Sequence, residues 1–359
     1  MSGKETILSK TYRLTEPWKI GLEAIERDLE EGDVLIQPTL ASICHADLRY
    51  YTGQRRPEAL QKKLPMALLH ESIGTVIKSR HNDRQVGDRV VIVPNVPGSL
   101  LNKRDEHDVT ASYIEENYSK DNVFLGSGYD GAAQEHLVLP AACTVVVPND
   151  VPDEIAVLAE LCTVSNQAIQ RAGIIGDQEH VAVFGDGPVG FITAALLHYV
   201  YGVSSERLHA FGAVEEKVAS FTFAKRHLVQ SYDFSKDPIV DAVFECTGGR
   251  FSESAANQGI DLVKREGKVI LMGVTEDKVP LNTRDILEKG IRLYGSSRSS
   301  VGDFQTVVEG LRNKDFQHAL SALVPDEFHT ITCADDLMSA LNETAAHKAW
   351  KKTFVTFAW

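Results

Sequence analysis

Residues 180–190 read HVAVFGDGPVG, and the run FITAALLHYVYG follows directly at 191–202. Val181, Ala182, Val183 and Phe184 predict a short buried strand, Gly185 to Gly187 a tight turn, and Pro188, Val189 and Gly190 the opening of a helix. In that strand–turn–helix context the spacing G-x-G-x-x-G has a mechanism. Gly185 permits the turn, Gly187 lets backbone N–H groups approach a pyrophosphate, and Gly190 lets helix and strand pack closely. The helix N-terminus adds unpaired N–H groups and the positive end of its dipole. A glycine turn in an ordinary βα unit is the competing reading, which the flanking strand and helix disfavour. The stretch predicts a dinucleotide site.

Working outward, residues 153–173 (DEIAVLAELCTVSNQAIQRAG) carry Ile155, Leu158, Leu161 and Ile169 at helical spacing, with Gly173 as a stop. After the glycine turn come LHAFG, a helix ending near Ala224, AVFECTGG, KVILMGV and RLYGSS. This strand–helix alternation predicts a parallel, doubly wound sheet with right-handed crossovers. Residues 1–150 have another texture. Short β-type runs at 33–37, 74–78, 89–93 and 135–139 lack long helices between them and predict a barrel-like β domain. Residues 102–122 are charged and poorly periodic, and read as a solvated surface excursion. The tail from Val301 is expected to fold back onto the first domain. The division is therefore 1–152 with 300–359, and 153–299 for the dinucleotide.

The chain has 359 residues, long enough for two domains with their own cores. It carries 37 Lys and Arg against 50 Asp and Glu, a formal net charge of −13. That balance argues against nucleic acid or an anionic membrane surface as partner. No run reaches transmembrane length, and MSGKETILSK lacks the apolar core of a signal peptide. The five cysteines (Cys44, Cys143, Cys162, Cys246, Cys333) include no C-x-x-C pair, which predicts reduced thiols in the cytoplasm and excludes a four-cysteine structural zinc site.

Candidate metal ligands precede the glycine turn: Cys44 in SICHAD, His70 and Glu71 in LLHES, and Glu160 in LAELC. Thiolate, imidazole and carboxylate are the zinc donor set. Each alone has a plainer reading: a buried thiol, a common dipeptide, a helix-surface charge. Spacing leaves the metal open. In nicotinamide sites that take NAD, a carboxylate ends the second strand of the sheet. Here that strand ends Phe211-Gly212-Ala213, and Glu215 and Glu216 fall at the start of the next helix. Gly212 thus favours NADPH, with Lys217 the nearest basic residue.

Cys44 with Asp47, then Leu69-His70-Glu71, Glu160-Leu161 and GDGPVG resemble, in order and spacing, the zinc-dependent medium-chain dehydrogenases of the alcohol and polyol dehydrogenase superfamily. The resemblance implies a GroES-like β-barrel domain joined to a Rossmann domain. It implies Cys44, His70 and Glu160 as zinc ligands, Asp47 orienting the histidine, and Glu71 on or beside the metal. Leu69 stands where the family motif has glycine. Ala46 replaces the hydroxyl through which some members relay a proton, leaving water or His45. Without the family's structural-zinc cysteines, one zinc per chain is expected.

The stretches SICHADLRYYTGQRRPEALQKKLPMALLHE, GDGPVGFITAALL, FECTGG, VPLNTRDILEKG and LYGSSRS resemble ribulose-5-phosphate reductases more narrowly. These enzymes make ribitol 5-phosphate for CDP-ribitol, a precursor of ribitol-containing teichoic acids and some capsules. The resemblance implies NADPH-dependent reduction of D-ribulose 5-phosphate and a homodimer joined through the Rossmann sheet. Functional pairing with a cytidylyltransferase is also implied. Thr247 and Ser296 are placed against the cofactor, and Arg49, Tyr50 and Arg298 against the substrate. Arg55, Arg56, Lys62 and Lys63 read equally as a solvated basic loop. Rival readings are an NAD-dependent dehydrogenase of unphosphorylated polyols, which needs no such basic cluster, and a non-catalytic dinucleotide-binding relative.

Overall fold

A computed structural model describes residues 4–101, 115–174, 176–236, 238–346 and 350–359. The chain opens with a long hairpin, β1 (Glu5–Glu16) and β2 (Lys19–Leu29), which sequence periodicity did not reveal. Along β2 nearly every residue keeps some solvent access, so polar side chains interrupt the apolar alternation. β3 (Asp33–Ser42), α1 (His45–Tyr51), α2 (Pro57–Lys63) and β4 (Met66–Ala67) follow. Next come β5 (Glu71–Ser79), β6 (Arg89–Ile92), β7 (Asn95–Val96), β8 (Val123–Phe124), β9 (Leu137–Pro140) and β10 (Thr144–Val146). The four expected strands are β3, β5, β6 and β9, the first two longer than their apolar runs. Of the expected excursion at 102–122, residues 102–114 lie outside the described residues, and Glu116–Tyr118 form a short 3-10 turn.

One predicted helix is two: α3 (Asp153–Ala156) and α4 (Ala159–Ala172). β11 (Val181–Phe184), buried throughout, leads into α5 (Pro188–Tyr199). β12 (Leu208–Gly212), α6 (Glu215–Val218), β13 (Lys225–Leu228), β14 (Val240–Glu245), α7 (Ser252–Leu262), β15 (Val263–Leu271), α8 (Thr283–Lys289) and β16 (Arg292–Gly295) complete the series. The six strands pair in parallel in the order β13-β12-β11-β14-β15-β16. Burial on both faces explains the near-continuous apolar runs of β11, β12 and β14. The edge strands β13 and β16 are more exposed; β13 (KRHL) begins just past Ala224, where a helix was expected to end, and α6, the helix before it, is a single turn.

The tail supplies α9 (Val301–Gly310), α10 (Lys314–Leu320), β17 (His329–Ile331), α11 (Ala334–Ala346) and β18 (Phe354–Phe357). β18 pairs with β3 and carries β17, so the first sheet runs β10-β6-β5-β3-β18-β17, with β9 also on β3. Two compact units result. One comprises Met1–Glu160, Arg298–Arg312 and Val324–Trp359; the other Leu161–Ser297 and Asn313–Leu323. The tail therefore does not return whole to the first domain. Phe316 of α10 is fully buried, with its ring 6.5 Å from that of Tyr199 in α5, and this holds α10 in the second unit. In the first unit, Ile43, Leu48, Tyr51, Leu68, Leu69 and Leu341 share one core, which fixes the segments on either side of Cys44 and His70.

Candidate active site

Cys44 caps α1, and its backbone N–H donates to Asp47 Oδ2 at 2.9 Å. Asp47, fully buried, also accepts the Leu69 N–H on Oδ1 at 3.0 Å and stands 3.5 Å from His70 Nδ1. One carboxylate thus ties the end of β3 to the start of β5. Leu69 pays a conformational cost: its φ is +73°, in the left-handed region that favours glycine, which accounts for glycine in the family motif at this position. Glu71 faces Ser42 across the β3–β5 ladder. Lys352 Nζ lies 3.1 Å from Glu71 Oε1 and 3.0 Å from Oε2, the first contact being the better-directed hydrogen bond, and it also donates to Ile43 O at 2.9 Å.

The donor atoms of Cys44, His70 and Glu71 lie within 4.8 Å of one another, the one such group among the described residues. Glu160 does not join it. Buried at the start of α4, Glu160 interacts electrostatically with His70 and Glu71, so the four expected ligands divide into a converging three and a flanking one. Burial pushes the Glu160 carboxyl up to about 7, with Glu71 adding and His70 and Lys352 opposing. Burial, then Glu71, raises the Cys44 thiol. Burial opposes charge on His70, yet Asp47 and Cys44 hold its imidazolium well above the ordinary histidine value. A thiol, an imidazole and a carboxylate converging in a buried site fit zinc. A ring whose Nδ1 faces a carboxylate presents Nε2 to the metal.

Around this group, Phe124 packs edge-on to His70 with ring centroids 5.5 Å apart, and the Arg298 guanidinium lies 5.5 Å from the Phe124 centroid. Arg298 has φ of +61°, a second non-glycine residue in the left-handed region beside the site. Arg49 lies half-buried on α1. Tyr50 is buried and bonds Ser127 and Lys63. Arg56 and Lys62 are exposed.

In the second unit the glycine turn has the expected geometry. Gly185 takes φ of +128°, and a Cβ on Gly190 would stand 2.0 Å from Gly185 O, so only glycine permits the helix to start there. Gly187 caps α5, with Pro188 and Val189 following, and a Cβ on it would meet open space, the clearance a phosphate needs. Thr247 N–H donates to Glu245 Oε1 at 2.8 Å. The buried Glu245 also takes the N–H of Gly248 and Gly273, setting the backbone at the strand ends. The Ser296 hydroxyl is buried without a hydrogen-bond partner among the described residues, an orphan that a bound dinucleotide would satisfy. Glu245, Asp186 and Lys352 escaped the sequence reading; an acid inside G-x-G was the one visible signal.

Residues 30–149 match the alcohol dehydrogenase GroES-like domain family, and residues 210–313 the zinc-binding dehydrogenase family. The chain belongs to the zinc-dependent medium-chain dehydrogenases and is an oxidoreductase acting on CH–OH groups. It is 37% identical over 353 residues to ribulose-5-phosphate reductase 1 of Staphylococcus aureus, covering 97% of this chain and 98% of that protein. Identity to the ribulose-5-phosphate reductase of Streptococcus pneumoniae is 36%, over 89% of each. The crystal structure of S. aureus TarJ in complex with NADPH superposes with a TM-score of 0.82 at 32% identity, covering 98% of this chain and 100% of that one.

Proposed function

We propose that this chain reduces D-ribulose 5-phosphate to D-ribitol 5-phosphate with NADPH and one zinc ion. The observation that carries the reading is the converging Cys44, His70 and Glu71 group in a chain similar over nearly its whole length to ribulose-5-phosphate reductases. When bound, zinc supplies a Lewis acid for the ketose carbonyl and NADPH supplies the hydride. Cys44 and His70 hold the metal, with Glu71 and Glu160 as carboxylates on or beside it. Asp47 keeps the His70 ring turned. Gly185, Gly187, Pro188, Val189 and Gly190 receive the pyrophosphate, and Gly212, Thr247 and Ser296 line the rest of the cofactor. Arg49, Tyr50 and Arg298 orient the sugar phosphate. With no hydroxyl at Ala46, the product proton comes through water or His45.

The product would feed CDP-ribitol synthesis for teichoic acid or capsule in the cytoplasm. The enzyme would act as a homodimer joined through the parallel sheet and pair functionally with a cytidylyltransferase. The deciding experiment measures NADPH oxidation with ribulose 5-phosphate beside ribulose, xylulose 5-phosphate and fructose 6-phosphate, with zinc content determined on the same preparation. Clear preference for ribulose 5-phosphate supports the reading. Equal use of ribulose overturns it.

A further inference from the structure

α2 ends in two lysines whose surroundings diverge. Lys62 is exposed, whereas Lys63 is half-buried, and a Cβ on Gly128 would stand 3.3 Å from its Cγ. Its Nζ lies 2.8 Å from both Tyr50 Oη and Ser127 Oγ, and the two hydroxyls are 2.9 Å apart, so three polar atoms close a triangle. The Tyr50 ring carries two cations, with Arg55 4.7 Å and Lys63 5.5 Å from its centroid. No carboxylate of the described residues lies within ion-pair distance of Lys63. In a chain of net charge −13, a half-buried ammonium is left beside another cation with only neutral acceptors. Partial burial of an uncompensated charge is unfavourable, and an arriving anion relieves it. Burial works against ionising the Tyr50 phenol, yet Lys63 and Ser127 hold it below its ordinary value, as a positive local field would.

The triangle adjoins the metal donors along two routes. Tyr50 lies on the helix that Cys44 caps, about 9 Å of helical rise from the thiol residue. Ser127 follows Gly126, where a Cβ would stand 3.5 Å from His70 Nδ1. A ketose phosphate reacting at C2 carries its phosphate beyond C3, C4 and C5, so a seat set apart from the metal donors suits that end of the molecule and not the carbonyl.

We infer that Lys63, Tyr50 and Ser127 form the seat for the substrate's phosphate monoester, Lys63 supplying charge and the two hydroxyls supplying donors. The inference rests on the phosphosugar reading and adds, beside Tyr50, a lysine that sequence leaves as a loop cation. The hydroxyl that donates within the Tyr50–Ser127 pair turns its hydrogen to a phosphate oxygen, the other hydroxyl directs its own hydrogen there as well, and Lys63 Nζ keeps its place between them. Charge-assisted bonds of this kind are the strong ones.

The test uses the zinc-loaded enzyme and its Lys63→Met, Lys63→Arg and Ser127→Ala variants, with kcat/KM measured for ribulose 5-phosphate and for ribulose. In parallel, ribitol 5-phosphate and ribitol binding are measured by calorimetry. Lys63→Met is expected to reduce the preference for the phosphorylated compound by roughly 10- to 100-fold, Ser127→Ala by less, and Lys63→Arg to recover most of it. A preference unchanged within twofold overturns the inference. So does an equal loss on both sugars, or a change confined to the pH profile of kcat, which would make Tyr50 a proton donor instead. If the parent enzyme prefers another ketose phosphate, the proposed substrate fails, and the same ratio measured with that sugar still decides the role of Lys63.

Discussion

Asp186 lies so close to Gly212 that a Cβ on the glycine would stand 2.6 Å from Asp186 Cβ and 2.8 Å from its Oδ2. Val218 Cγ2 would be closer still, at 2.4 Å. The missing acid at the end of β12 therefore has a steric cause as well as the cofactor reason read from sequence. Gly212→Asp, which on sequence grounds looks like a switch toward NADH, is expected to weaken binding of both nicotinamides and to lower thermal stability. Differential scanning fluorimetry with each cofactor checks this; an intact variant with improved NADH use contradicts it.

Asp186 Oδ2 accepts the backbone N–H of Ala213 and Val214, each at 2.8 Å. Those donors begin the segment where an NADPH 2′-phosphate would sit, and the carboxylate both occupies them and repels the phosphate. Asp186→Ser should shift the ratio of kcat/KM for NADPH over NADH upward, by roughly three- to tenfold for a partly solvated like-charge contact. A shift the other way would mean that the carboxylate serves only to hold the turn.

Sequence made the parallel sheet legible because β11 is buried on every residue and the glycine spacing is enforced by contacts a few residues away, such as Gly190 against Gly185. Cys44, Asp47 and His70 were legible through short motifs. The β1–β2 hairpin was not, because its exposed positions mix Leu8, Leu22 and Ala24 with charged residues and blur the alternation, and β13 was not, because an edge strand carries little apolar pattern. The partners joined by long-range folding were invisible. Lys352 reaches Glu71 across 281 residues, and Lys63 reaches Ser127 across 64. α10 fell to the second unit through one buried aromatic, Phe316, set in an ordinary amphipathic tail.

Lys352 and Glu71 form a pair with side-chain exposures of 9% and 0%. Removing one member of a buried pair leaves the other uncompensated, at a cost of about 3–5 kcal/mol. Lys352→Met should therefore lower the unfolding midpoint sharply and reduce zinc retention through a displaced Glu71, while Lys352→Arg should keep much of both. An unaltered midpoint and zinc content in Lys352→Met would show that Glu71 does not depend on the pair.

His209 and His227 stand on adjacent strands with Nδ1 and Nε2 3.0 Å apart. Burial, then His227 and Lys225, drives His209 from 6.5 down to about 4. Burial and Lys225 lower His227 as well. The folded state thus binds fewer protons here than the unfolded chain, so the contribution is intact above the unfolded value and is lost as pH falls from 6.5 toward 4. His209→Phe should flatten this part of the stability profile relative to the parent. Chemical unfolding at pH 7, 6, 5 and about 4 measures it, and parallel curves for the two proteins would refute the assignment.

Leu69 is fully buried and left-handed, so two forces on it can be separated by substitution. Its backbone is pinned: its N–H goes to Asp47 Oδ1, and its carbonyl accepts the Ala132 N–H at 2.7 Å. Leu69→Ala loses the packing, about 2–5 kcal/mol for a buried leucine, and keeps the strain. Leu69→Gly loses slightly more packing but sheds the roughly 1–2 kcal/mol that a Cβ costs in the left-handed region. In ordinary strand or helix positions glycine is the less stable of the two by about 0.5–1 kcal/mol. Here the order should invert, with Leu69→Gly more stable than Leu69→Ala by about 1 kcal/mol and both below the parent. Urea unfolding of the three proteins reads this directly. If alanine proves the more stable, the left-handed turn before His70 relaxes once the side chain is cut, and the donor group is held by Asp47 without help from that backbone conformation.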